Sequence, residues 1–126
     1  MKKALLITGG RHHPFESCAP LLAEALRKAN ACEAKIAETS ALTRLSGYDL
    51  VIMYACPVKL TSAQETNLCG FVKNGGGLVG VHSANVVDEG NEGYLEMIGS
   101  RFLTHGPISE IQVNLTADHE LSLIHI

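Results

Sequence analysis

The chain lacks a basic stripe, a long apolar run and any Cys-x-x-Cys pair. Its 126 residues carry 10 Lys and Arg against 13 Asp and Glu, a net charge of −3. The electrostatic footprint of a nucleic-acid binder is missing, so nucleic acid is excluded as the expected partner. The opening Met1-Lys-Lys-Ala-Leu-Leu-Ile-Thr-Gly-Gly10 holds an apolar run of about five residues, short of the roughly 7–15 of a secretory h-region, and reads as a core strand. No segment approaches the ~18 apolar residues of a membrane span. A cytoplasmic protein that keeps off the membrane is expected. Cys18, Cys32, Cys56 and Cys69 are sparse for a disulfide scaffold and wrongly spaced for a zinc ribbon or a thioredoxin-like pair. They read as reduced, mostly buried thiols. Repeats, low-complexity linkers and internal boundaries are also lacking, so residues 1–126 form one domain.

What the chain does have is material for a core: 46% of it is hydrophobic and only 18% charged, a balance that favours a packed domain over disorder. Ala4 to Thr8, Leu50 to Tyr54 and Leu78 to Val81 are short, nearly continuous apolar runs, as in strands buried on both faces. Glu33 to Ala37 alternates and reads as a further strand. Between them lie helical patterns. Leu21, Leu22, Ala25, Leu26 and Ala29 recur at helical spacing, with Ser17 as the expected N-cap and Pro20 in the first turn. Ser40 to Leu45 suits a helical turn closed by Gly47. Thr61 and Gln64 form a capping-box pattern before a helix whose apolar face is Ala63, Leu68, Phe71 and Val72. Gly70 weakens that helix by roughly 1 kcal/mol relative to alanine, and Gly75 to Gly77 end it. A short helix is expected around Tyr94, Met97 and Ile98. Ile111, Val113 and Leu115 alternate with Gln112 and Asn114, as in an edge strand. The order β-α-β-(α)-β-α-β-α-β predicts an α/β fold, an open parallel sheet with helices on both faces.

Ligands of such sheets bind beyond the carboxyl ends of the strands, at the topological switch point. Four of the six histidines fall there: His12 and His13 after the first strand, His82 after the Leu78 strand, and His105 in Thr-His-Gly-Pro. Histidine is the commonest general acid or base near neutral pH, so His82, His105 and His13 are the expected catalytic residues. Arg11, His12, Tyr54 and Ser83 share the rim and are the expected substrate contacts. Imidazoles also suit a divalent metal such as zinc, for which His12, His82 and His105 would be the ligands. His12 and His13, adjacent in an extended segment ahead of Pro14, would point apart and not share an ion. No HExxH signature supports the metal. Glu16 could orient a first-loop histidine, or simply sit in the first helical turn, where the dipole favours an acid. Cys56 reads as a structural thiol rather than a nucleophile. Neither glycine cluster matches G-x-G-x-x-G or a P-loop, which argues against a nucleotide.

Four stretches in order resemble the ThuA-like, or trehalose-utilisation, family: Thr8-Gly-Gly-Arg-His-His-Pro-Phe-Glu16, Leu45-Ser-Gly-Tyr-Asp-Leu-Val51, Gly75-Gly-Gly-Leu-Val-Gly-Val-His-Ser83 and Tyr94-Leu-Glu-Met-Ile-Gly-Ser-Arg-Phe-Leu-Thr-His-Gly-Pro107. The resemblance covers about residues 3 to 119. It implies a flavodoxin-like fold of the class I glutamine amidotransferase type. In those amidotransferases the matching elbow carries a cysteine nucleophile; here Gly80-Val-His-Ser-Ala84 puts His82 in its place, so thioester-based glutamine amidotransfer is not expected. The resemblance further implies a role in trehalose, disaccharide or keto-sugar metabolism, with a small carbohydrate as partner and a sugar hydrolase or isomerase as the expected enzyme class. Self-association into a homo-oligomer stays open, as do a non-catalytic sugar- or protein-binding module and a non-functional fragment. Members of the family usually run past 200 residues. The end Glu120-Leu-Ser-Leu-Ile-His-Ile126 departs from the pattern, so residues 120–126 are expected to be a truncated or artefactual tail and the sheet to be incomplete at the C-terminus. His125 would then carry no function, and His119 little.

Overall fold

A computed structural model describes residues 1–112 and 114. Its elements run β1 (Lys2–Gly10), α1 (Phe15–Lys28), β2 (Cys32–Ala37), a 3₁₀ turn (Thr39–Thr43), β3 (Leu50–Cys56), α2 (Ser62–Lys73), β4 (Gly77–Gly80), a second 3₁₀ turn (His82–Asn85) and α3 (Glu92–Ile98). The four strands form one sheet in the order β2-β1-β3-β4. All pairings are parallel, with Leu6 opposite Ile36 in β2 and Ile52 in β3. This is the flavodoxin-like arrangement. The chain leaves β1 toward one edge and returns to build β3 on the other side, so the switch point lies between the carboxyl ends of β1 and β3.

Side-chain alternation along the strands makes two cores. Leu5, Ile7, Val51 and Met53 face α2, α3 and the first 3₁₀ turn, where Leu42, Leu68 and Tyr94 complete a buried cluster. Ala4, Leu6, Ile52, Tyr54 and Cys56 face the opposite way, onto Phe15 and Ala19 of α1. The central strands β1 and β3 are apolar where both their faces are covered, from Ala4 to Ile7 and from Val51 to Cys56; the edge strands are not, since Glu33, Lys35 and Ile36 of β2 are exposed and Val79 of β4, expected to be buried on both faces, is 46% exposed.

Several sequence expectations shift. Helix α1 starts at Phe15, two residues before the expected cap; Pro14 takes the cap position and Ser17 lies inside the helix, where its hydroxyl donates to the Pro14 carbonyl at 3.1 Å. Pro20 therefore sits in the second turn. The Glu16 carbonyl it leaves without a helical partner belongs to an exposed residue, within reach of water. The inward stripe is Phe15, Ala19, Leu22 and Leu26, while Leu21 is 70% exposed and Ala25 points outward. In α2 the Thr61–Gln64 capping box forms as read, but Ala63 is exposed. Of the expected last strand, Ile111 and Gln112 carry no strand pairing, whereas Val113 and Leu115 lie outside the described residues. So do His119, His125 and the 120–126 tail. The four cysteines are free thiols, Cys32 and Cys56 buried and Cys18 and Cys69 half-buried.

Candidate functional site

The carboxyl rim is built from two tight chain reversals. Strand β1 ends in Gly9 and Gly10, with φ of 143° and 102°. A Cβ on Gly10 would lie 1.9 Å from the Cys56 carbonyl oxygen, so only glycine lets β1 pass this close to the end of β3. Arg11 then donates its backbone N–H to that carbonyl at 2.6 Å. The chain folds back at once. His12 has a left-handed backbone, φ 76°. Phe15 donates its N–H to His13 O across Pro14, whose φ of −80° and ψ of 62° mark an inverse γ-turn. The extended segment expected before Pro14 is therefore a compact bend.

The second reversal follows β4. Val81 donates to Met53 O at 2.9 Å, and His82 turns with φ 56° into the 3₁₀ turn. A non-glycine residue there is uncommon, and such backbones cost roughly 1–3 kcal/mol. The surroundings hold it in place. The Tyr94 hydroxyl, fully buried, donates to Ala84 O at 2.9 Å. Phe102 N–H donates to Asn85 O at 2.9 Å. Burial keeps the Tyr94 phenol protonated well above its ordinary range, so it remains a donor. Ser83 is buried and its hydroxyl donates to Ala55 O at 3.5 Å.

These two reversals bring His13 and His82 together. Their rings meet edge to face at 4.4 Å between centroids, and His13 also packs against Phe15 at 5.6 Å. His13 is half-buried and His82 exposed. His13 lines a cleft of about 700 Å³ that includes Thr8, Phe15, Ser17 and the carboxylate residues Glu16 and Glu38. His82 lines a neighbouring hollow of about 440 Å³ between β4 and α3. Each ring of the pair thus lines a cleft of its own, and clefts are the usual setting for a ligand site.

The other expected site residues lie apart from it. Arg11 and His12 are exposed on the bend. Tyr54 is buried, its ring 4.9 Å from Phe15; burial, and then the Cys18 thiol, push its phenol above the ordinary range. His105 is exposed on the irregular segment after α3, its Nδ1 2.7 Å from Gly106 O and its ring 6.0 Å from Phe102. Among the described residues no three His, Cys, Asp or Glu side chains are placed to hold a metal ion. His12, His82 and His105 therefore do not form the expected ligand set.

Other contributors carried little sequence signal. Glu65 of α2 accepts the Tyr94 N–H at 2.8 Å and so caps α3 from another helix. Buried Asn91 bridges it: its amide donates to Glu65 and to Leu60 O, and its oxygen accepts Leu60 N–H at 2.9 Å. An asparagine ahead of a helix is a legible cap, but its actual partners come from a distant loop. Glu38, at the end of β2, had no motif to mark it.

Fold and rim together define a flavodoxin-like α/β domain with a histidine-bearing elbow. The sequence profile of the ThuA family, described as trehalose utilisation, matches residues 3–126, and the chain belongs to that family. A search of curated proteins finds no match. Two solved structures share the fold. A ThuA-like protein of Parabacteroides merdae aligns with TM-score 0.62 and 22% identity over 69% of this chain and 34% of its own. A ThuA-like protein of Bacteroides uniformis aligns with TM-score 0.61 and 22% identity over 78% of this chain and 43% of its own. The chain thus spans less than half the length of either. No helix among the described residues is long and apolar enough to cross a membrane.

Proposed function

We propose that this ThuA-family domain acts on a small carbohydrate, a trehalose-type disaccharide or its keto derivative, by acid–base catalysis through His13 and His82. The observation that carries this reading is the 4.4 Å edge-to-face pair of imidazoles at the strand carboxyl ends, one of them on a strained left-handed elbow. Imidazole both takes and gives protons near neutral pH. Isomerisation of a keto-sugar needs both acts, because a proton leaves the carbon beside the carbonyl and another reaches the carbonyl oxygen. The adjoining cleft offers Thr8, Ser17, Glu16 and Glu38 to sugar hydroxyls. Arg11, His12 and His105, on exposed segments, would close on substrate from outside. The elbow carries no thiol, so a cysteine-based amidotransfer is not part of the reading.

The test is turnover of trehalose, related disaccharides and their keto derivatives by the purified chain. His82→Ala and His13→Ala are each expected to lose about 100-fold or more. His82→Gly separates chemistry from folding. It should lose the same activity yet resist urea better than His82→Ala by about 1 kcal/mol, because glycine accepts φ 56° without strain. Unchanged turnover in either alanine variant overturns the acid–base reading. Sugar binding without turnover by the parent chain would make the domain a non-catalytic binding module.

A further inference from the structure

A sizeable hollow lies away from the histidine rim. It lies at the opposite, amino end of the sheet, between the loop that leads into β3 and the flank of α2, with a volume of about 1000 Å³. We propose that this groove is a second ligand site, for an uncharged polyhydroxylated molecule of mono- to disaccharide size.

The chemistry of the lining selects that class. Hydroxyls come from Ser46, Ser62 and Thr66, and amides from Asn74 and from Asn67, whose nitrogen also donates to Leu42 O. The charged residues that line it, Lys2 and Asp49, neutralise each other at 3.0 Å, and Asp49 further accepts the Lys3 N–H at 2.8 Å. No net charge is left for an anion or a cation to answer. The half-buried rings of Tyr48 and Phe71 add apolar surface for C–H faces. Closely spaced donors and acceptors beside aromatic carbon match a sugar or polyol.

Gly70 gives an independent argument. It lies inside α2, where glycine weakens the helix, and it lines the groove. Packing does not require it, since a Cβ there would meet no atom within 4 Å. Its φ is outside the left-handed range too, as it is not among the glycines with positive values. Alanine would fit and would strengthen the helix. Glycine at this position leaves that stretch of the groove lining without a side chain.

The inference does not rest on the catalytic reading, and its test is kept apart from it. Trehalose, maltose and sorbitol are titrated into the full chain up to about 50 mM and followed by amide NMR shifts, with millimolar affinity expected for so open a site. Shifts should concentrate at Ser46, Thr66, Asn67 and Asn74 and persist in His82→Ala. Gly70→Ala is expected to raise Tm by roughly 3 °C, and Gly70→Leu, which puts a side chain there, to abolish the shifts at these residues without lowering Tm. No shifts at the groove in the parent chain, or shifts that survive Gly70→Leu, would overturn the proposal. Groove shifts in a protein inactive on every sugar would leave this site standing and remove only the catalytic reading.

Discussion

The two ends of the sheet are held by different means. At the carboxyl end the backbone sets the shape: left-handed His12 and His82, two glycines of positive φ and an inverse γ-turn compress two reversals into a small area. At the amino end the positive-φ positions fall to Asn30, Gly47 and Gly75, residue types that take that backbone readily, and the joints are polar side chains, Asp49 to Lys2 and Lys3, and Asn67 to Leu42 O. Backbone strain survives where the surrounding packing over-determines it. The difference is one of residue type: the rim holds two histidines in a backbone that asparagine and glycine take at the other end.

That contrast can be broken most forcefully at Gly10. A methyl group there collides with the Cys56 carbonyl at φ 102°, so Gly10→Ala should cost roughly 3 kcal/mol, from overpacking and backbone strain together. Urea unfolding measures it; a loss below 1 kcal/mol would show that the rim yields easily. Next in size is Tyr94→Phe, which strips Ala84 O of its buried donor. About 1–2 kcal/mol of stability should go, and the His13–His82 ring contact should loosen, visible as altered imidazole NMR signals. Smallest is Asp49 at the other end. The Lys3 N–H and then the Lys2 ammonium hold its carboxyl below the ordinary carboxylate range. A depressed folded value means the contribution is complete above the unfolded pKa of about 4 and is lost as pH falls through the folded value. Asp49→Asn should therefore flatten the acid limb of a Tm-against-pH profile while barely altering Tm under acid conditions. Being exposed, the group has a small effect, and a mutant profile parallel to that of the parent would remove it from the account.

The sheet was legible because its central strands are buried on both faces: an uninterrupted Leu50-Val-Ile-Met-Tyr54 has few other uses. The capping box at Thr61 was legible because its two partners are three residues apart. The start of α1 was not, since Pro14 and a γ-turn took the place that composition gave to Ser17. At the rim, residue type and strand-end position placed His12, His13, His82 and His105 at one end of the sheet, and the structure puts two of them, His13 and His82, in contact. Their mutual contact was not readable, because it depends on two left-handed residues that no periodicity marks. The metal set failed for a related reason. Being on one rim brought His12, His82 and His105 to the same end of the molecule but not to one point, and His105 rides on a segment with no regular structure. Glu65 and Asn91 went unread because their partners lie on other elements.

Asn91 pairs with Leu60 as a neighbouring strand would, accepting its N–H and donating to its C=O. A single side chain thus gives an isolated loop residue the shelter of a sheet. Deuterium exchange at the Leu60 amide becomes a reporter on α3: the proton should be released when the helix start lifts away, and otherwise be retained like one within a strand. The brace beneath the elbow can thus be followed from a loop that is part of neither the helix nor the elbow.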